Sequence, residues 1–244
     1  MIFIHDIIAK KRGGMKTELK YLNTKILKDK AKLIKIDKDE KGTFAVFDST
    51  IFYPQGGGQE SDKGYILIDG KKYDVEFVIS DTGIVKHYGD FDSLSENIEA
   101  EMVVDENKRT INSKSHTAGH LIAAVVEKNY GITATKAYHF LNGPYVEFEG
   151  NKNIDINELN MLLQNEIDKK RKVEIKHVSR NELENVGVSV PAFLGDEIRV
   201  MKIEGFKPIP CGGTHLENLD ELNEVKIKKA KLKKNKLKIS YTFS

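Results

Sequence analysis

Two short stretches of this chain carry residues that can hold a metal ion. His116-Thr-Ala-Gly-His120 sets two imidazoles four residues apart. On a helix, positions i and i+4 share a face one turn apart, so both rings can address one ion. The helix wheel agrees, because Ala118, Leu121, Ile122 and Val125 form an apolar stripe roughly opposite the two histidines. No Glu follows His116, which excludes the zinc-protease helix that uses that carboxylate as base. The second stretch, Cys211-Gly-Gly-Thr-His215, contains the only cysteine of the chain. Its glycines let the backbone turn tightly enough for Cys211 and His215 to converge. Each motif alone has an ordinary reading, as packed histidines or as a glycine turn beside a free thiol. Together, three imidazoles and one thiolate suit Zn2+, a borderline-soft ion that takes N and S ligands tetrahedrally. Three protein ligands leave one position for water and four close the site; the sequence is compatible with either.

The elements that must position these residues fall into two regions. Residues 15–104 read as strands and turns: alternation runs through Ala31–Ile36, Thr43–Phe47, Tyr65–Ile68 and Lys72–Ile79, with turn residues at Asp39–Gly42, Asp69-Gly70 and Asp81–Gly83. This spacing suits a small barrel or a sandwich, and the small β-barrel is the expectation taken forward. Residues 105–244 predict an α+β domain, with helices packed on an antiparallel sheet. In it, a helix at 106–130 ends near Gly131 and a second runs over 155–171. Strands are expected at 134–140, 145–148, 173–178 and 197–204, and the tail from Val225 reads as a hairpin turning at Lys233–Lys236. Residues 1–14, ahead of Met15, read as a disordered extension.

Composition narrows the function classes. With 39% hydrophobic and 31% charged residues, the chain is an ordinary globular sequence, and no apolar run reaches the ~20 residues of a membrane span. A single cysteine excludes an intramolecular disulfide and points to a reducing cytoplasm. The net charge is only +2, so any nucleic-acid surface has to come from local clustering. Two clusters qualify: Lys169, Lys170, Arg171 and Lys172, and the tail lysines 226, 228, 229, 231, 233, 234, 236 and 238. They suit phosphate contacts. They equally suit a solvated hairpin whose lysines discourage edge pairing.

The two metal motifs, in this order and about ninety residues apart, resemble the editing domains of alanyl- and threonyl-tRNA synthetases. Val190-Pro-Ala-Phe-Leu-Gly-Asp-Glu-Ile-Arg199, leading into Pro210-Cys211, is similar to the domain shared by those enzymes and the freestanding AlaX proteins. Phe52-Tyr-Pro-Gln-Gly56-Gly57-Gly58-Gln59-Glu-Ser-Asp-Lys-Gly64 resembles the glycine motif of longer AlaX proteins and of alanyl-tRNA synthetase. It is absent from threonyl-tRNA synthetase editing domains, which favours the alanine branch. The chain departs from the family at Gly119, where Thr or Leu is usual. No stretch matches the aminoacylation domain, so charging is not expected.

The resemblance implies a trans-editing hydrolase that removes serine, and glycine as a further case, from tRNA(Ala). Zn2+ would be held by His116, His120, Cys211 and His215, with a metal-bound water as nucleophile and no protein base assigned. Zinc lowers the pKa of such a water to ~7 and polarises a carbonyl. Gly56, Gly57, Gly58 and Gln59 are candidates for substrate binding by close backbone approach, or a structural turn. Thr133 and Thr135 are candidates for binding the seryl hydroxyl, or strand residues on a solvated face. The partner is tRNA(Ala), with no membrane and no stable protein partner. The reading from another class is a zinc-stabilised RNA-binding module without catalysis.

Overall fold

The computed structural model describes residues 16–22, 26–192 and 194–244. The extension expected at residues 1–14 lies outside them. Among the described residues the chain forms two compact units. One takes the chain through Gly56 together with Glu60–Ile111, and the other takes Gly57–Gln59 together with Asn112–Ser244. The class is α+β, with three α-helices and mostly antiparallel sheets among the described residues. No helix there is long and apolar enough to cross a membrane.

In the first unit, β1 (Glu18–Leu19) pairs in parallel with β4 (Ser49–Thr50). The other strands are β2 (Lys28–Asp39), β3 (Gly42–Phe47), β5 (Gly64–Ile68), β6 (Lys71–Val75), β7 (Phe77–Asp81), β8 (Ile84–Tyr88) and β9 (Glu99–Val104). They form one sheet in the order β6-β5-β9-β2-β3-β8-β7. The continuous strand expected over 72–79 is broken at Glu76, and its halves become the two edges of this sheet. Seven flat strands would span about 29 Å, so edges joined by one residue require a sheet that curls back toward itself. No ladder joins the edges, and the closed barrel expected from the strand spacing is not what the pairing forms. Leu33, Phe47, Ile51, Phe52, Ile66 and Met102 fill its core. Asp62, from the tail of the glycine motif, is fully buried and accepts from Arg109 Nε at 3.0 Å and from Tyr53 N–H at 2.6 Å. Arg109 also donates to Ile51 O at 2.7 Å. Removing either charge would strand the other without water, so the pair locks the turn that follows the glycines.

In the second unit, α1 (Glu106–Tyr130) contributes everything from Asn112 onward. It ends where Gly131 takes φ +67°, the left-handed conformation that stops a helix cheaply only at glycine. The sheet order is β10-β11-β16-β15, from β10 (Thr133–Tyr138), β11 (Tyr145–Glu149), β15 (Val225–Lys233) and β16 (Lys236–Phe243). Its inner face presents Val146, Phe148, Leu237 and Ile239 to Leu121, Ile122 and Val125 of α1. α2 (Ile156–Asp168), capped by Asp155, adds Leu159, Leu163 and Ile167 to this core. A second sheet joins β12 (Val173–Ser179), β13 (Glu197–Ile203) and the short β14 (Ile209–Pro210). Between β12 and β13 lies α3 (Arg180–Asn185), which starts at a capping box of Ser179 and Glu182.

Candidate metal centre

α1 is buried on both faces. Its apolar stripe enters the core as expected, yet the opposite face is also covered: His116 is 1% exposed and His120 3%. That face meets the loop after β14, which carries Cys211 and His215, themselves 3% and 4% exposed. One ligand atom from each of His116, His120, Cys211 and His215 lies within 4.8 Å of all the others. Cys211 Sγ is 3.2 Å from His215 Nε2 and 3.6 Å from His116 Nε2. A tetrahedral zinc site sets its ligand atoms about 3.3–3.7 Å apart, from bonds of 2.0–2.3 Å.

The surroundings aim these atoms. Gln59 Oε1 accepts from His116 Nδ1–H at 2.7 Å and from Thr214 N–H at 3.1 Å. Its Nε2 donates to Thr214 Oγ1 at 2.9 Å. A carbonyl oxygen only accepts, so the His116 proton sits on Nδ1 and a lone pair on Nε2 faces the cluster. His215 Nδ1 lies 3.3 Å from Thr117 Oγ1. Arg199 of β13 holds the cysteine loop by donating to Cys211 O at 2.5 Å and Gly213 O at 3.0 Å. Gly213 is required by contact, since a Cβ there would lie 2.1 Å from His116 Cε1. His120 Nε2 is buried with no hydrogen-bond partner among the described residues. Such an orphan costs ~1–3 kcal/mol unless something binds it.

Burial sets the protonation states. It pushes His120 down to about 4, and it pushes His116 and His215 well below the ordinary imidazole value, helped by neighbouring charges. All three rings are therefore neutral lone-pair donors at pH 7. Burial raises the Cys211 thiol, against the opposing effect of Arg199. A metal cation entering the cluster would displace that thiol proton.

Of the other residues singled out from sequence, Gly57, Gly58 and Gln59 cluster with this unit, whereas Gly56 accepts from Tyr53 Oη at 2.9 Å in the first unit. The close approach that the glycines permit is realised against β10: Gly58, at φ +80°, would set a Cβ 2.7 Å from Ala137 O. Gln59 is 1% exposed, and its side chain is engaged by His116 and Thr214. Thr133 is exposed and Thr135 donates to Glu147 O. Both lie on β10, where six residues of extended chain (about 20 Å) separate Thr133 from His139. The structure brings His139 to the cluster, with its ring centroid 4.4 Å from that of His116. Burial pushes His139 down to about 3. No spacing rule links residue 139 to residue 116, so the sequence held no signal for this neighbour.

Residues 8–108 match the family described as tRNA synthetases class II (A), and residues 198–238 match the threonyl and alanyl tRNA synthetase second additional domain. The alanyl-tRNA editing protein AlaX-M of Methanosarcina barkeri is 32% identical over 206 residues, which cover 79% of this chain and 85% of that protein. The alanine–tRNA ligase of Methanobrevibacter smithii is 32% identical over 209 residues, covering 80% of this chain and 23% of the ligase. The alanyl-tRNA editing protein AlaX-L of Pyrococcus horikoshii is 29% identical over 228 residues, covering 87% of this chain and 54% of AlaX-L. The chain thus spans under a quarter of the ligase and most of AlaX-M.

Proposed function

The chain belongs to the AlaX family of alanyl-tRNA editing proteins, and on that premise we propose that it hydrolyses the ester of mischarged tRNA(Ala), chiefly seryl-tRNA(Ala), with glycyl-tRNA(Ala) as the second substrate. The ion would be Zn2+, held by His116, His120, Cys211 and His215. The observation that carries this reading is the convergence of those four buried side chains within 4.8 Å, with an unpartnered His120 Nε2 among them. Three neutral imidazoles and a thiol that ionises on binding are a donor set suited to zinc. Zinc at that position would polarise the ester carbonyl and make water a stronger nucleophile at neutral pH. The chain's own groups do the positioning. Gln59 keeps the His116 proton on Nδ1, and Arg199 fixes the Cys211–Gly213 backbone. An aminoacyl ester is already activated, so no strong protein base is needed. Aminoacylation is not part of this proposal, and the same reading assigns the protein to the cytoplasm.

The test is deacylation of seryl-, glycyl- and alanyl-tRNA(Ala) by protein with measured zinc content, before and after chelation. Seryl-tRNA(Ala) should be hydrolysed by the loaded protein, lost on chelation and recovered when zinc is returned. His116→Ala with His120→Ala should remove both zinc and activity. One observation favours a second reading: four protein donors can close a tetrahedral site. Tight tRNA binding without deacylation at full zinc occupancy would favour that reading, a zinc-stabilised RNA-binding module.

A further inference from the structure

Gly119 lies between the two histidines of α1, and the space above it is taken. A Cβ at Gly119 would stand 2.2 Å from His139 Cε1, 2.5 Å from His139 Nδ1 and 2.9 Å from Tyr241 Oη. The missing side chain is what admits the His139 ring, which is stacked at 29° on His116 and has its centroid 6.2 Å from that of His120.

His139 is also held from several directions. Its N–H donates to Gly58 O at 2.7 Å, and its carbonyl accepts from Ser115 Oγ at 2.7 Å. Its Nδ1 is 2.8 Å from Tyr241 Oη. Tyr241 has one hydroxyl proton, and it goes to Ser115 O at 2.9 Å. His139 Nδ1 must therefore be the donor to Tyr241, which leaves the lone pair on Nε2. No described residue hydrogen-bonds to that Nε2. A ring this firmly placed, with one acceptor left over beside the candidate metal cluster, is preorganised to receive a donor from outside the chain.

We propose that Gly119 and His139 form the specificity element of the acyl site, in which the glycine makes room and His139 Nε2 accepts a hydrogen bond from the hydroxyl of the acyl group. The assignment rests on the editing reading above. A seryl ester supplies that donor and an alanyl ester does not. A site built to hydrogen-bond a substrate hydroxyl rejects the analogue lacking it, because the acceptor gives up water on binding and gains no donor in return. The ring also takes up space next to His116, which suits a small acyl group.

The experiment compares wild type, His139→Phe and His139→Gln for deacylation of seryl- and alanyl-tRNA(Ala), with zinc content measured on each. Phe fills the ring volume without an acceptor, and Gln returns one. The seryl-over-alanyl preference should fall by about 100-fold or more in His139→Phe and recover in part in His139→Gln, at unchanged zinc content. A wild-type preference in zinc-loaded His139→Phe would overturn the proposal, and so would loss of zinc from both variants, which would make the ring a support for the cluster. Wild-type protein that deacylates neither ester would overturn the editing reading and the assignment of His139 with it. Thermal unfolding tests the pairing independently of activity. Gly119→Ala should lower the melting temperature, and adding His139→Ala should restore part of it; a Gly119→Ala protein as stable as wild type would overturn the pairing.

Discussion

Gln59 shows how one amide ties two motifs together. By sequence it is a candidate for substrate contact, because it closes a run of glycines. In the structure its carbonyl oxygen accepts from both His116 and the backbone of Thr214, and its amide nitrogen donates to the Thr214 hydroxyl. It thus connects a residue on α1 to the loop that carries Cys211 and His215. Partners of this kind fix the ring orientation of a ligand and raise its basicity, and losing one lowers metal affinity by roughly 10–100-fold. Gln59→Ala should therefore bind zinc about 10–100-fold more weakly in a competition with a chromogenic chelator. Affinity equal to wild type would return Gln59 to the role of a structural turn residue.

At the scale of elements, the curled sheet of the first unit has its own buried histidine. His87 on β8 is fully buried, with its ring edge-on to Phe47 and Phe52 at centroid distances of 5.1 and 5.5 Å. Nδ1 lies 3.2 Å from Ala45 O, which can only accept, so Nε2 accepts from Thr50 Oγ1 at 2.7 Å. Both nitrogens are satisfied in the neutral ring. Burial pushes its pKa from 6.5 to about 4. The unfolded chain takes up a proton below pH 6.5 that the folded sheet refuses until about pH 4. Stability from this group is thus fully present above pH 6.5 and is lost as pH falls, at ~1.4 kcal/mol per pH unit and ~3 kcal/mol in all. His87→Gln removes the titration. Unfolding free energies measured from pH 7 to pH 4 should converge between wild type and variant as the pH drops; parallel curves would mean that His87 is not the group responsible.

For the whole molecule, a net charge of +2 hides a strong asymmetry. Lys231 faces Lys238 and Lys233 faces Lys236 directly across β15 and β16. Like charges in such positions destabilise a sheet unless something offsets them. Glu147 offsets Lys236 at 3.2 Å, and Lys238 rests 3.4 Å above the Tyr145 ring, but Lys231, Lys233 and Lys234 remain exposed. The other basic cluster is different, because Glu166 pairs with both Lys169 and Arg171. A polyanion would find its phosphate contacts on the hairpin. Changing Lys231, Lys233 and Lys234 to Ala should reduce the slope of log affinity against log salt for tRNA by about 2–3 and weaken binding alike for charged and uncharged tRNA. An unchanged slope would leave these lysines as the solvated guard of an edge strand.

What could be read from the sequence was what short-range physics encodes. The bounds of α1 were legible because helical periodicity and Gly131 mark them, and the hairpin over 225–243 because its alternation breaks at Lys233–Lys236. The grouping of His116, His120, Cys211 and His215 was legible because i, i+4 spacing and a two-glycine turn each aim a pair of side chains. Ser179 and Glu182 also carry a capping signal for α3, whose six residues are too few to show helical periodicity. Only the tertiary structure decided the rest. The break of one expected strand at Glu76, and with it the open sheet, depends on which strands pair. The arrival of His139 above Gly119 depends on the direction in which β10 runs back along α1. Gln59 reaches His116 across 57 residues of sequence. A local pattern fixes a residue's conformation and the face it presents, whereas the partner it meets there is set by chain topology, which no short window of sequence contains.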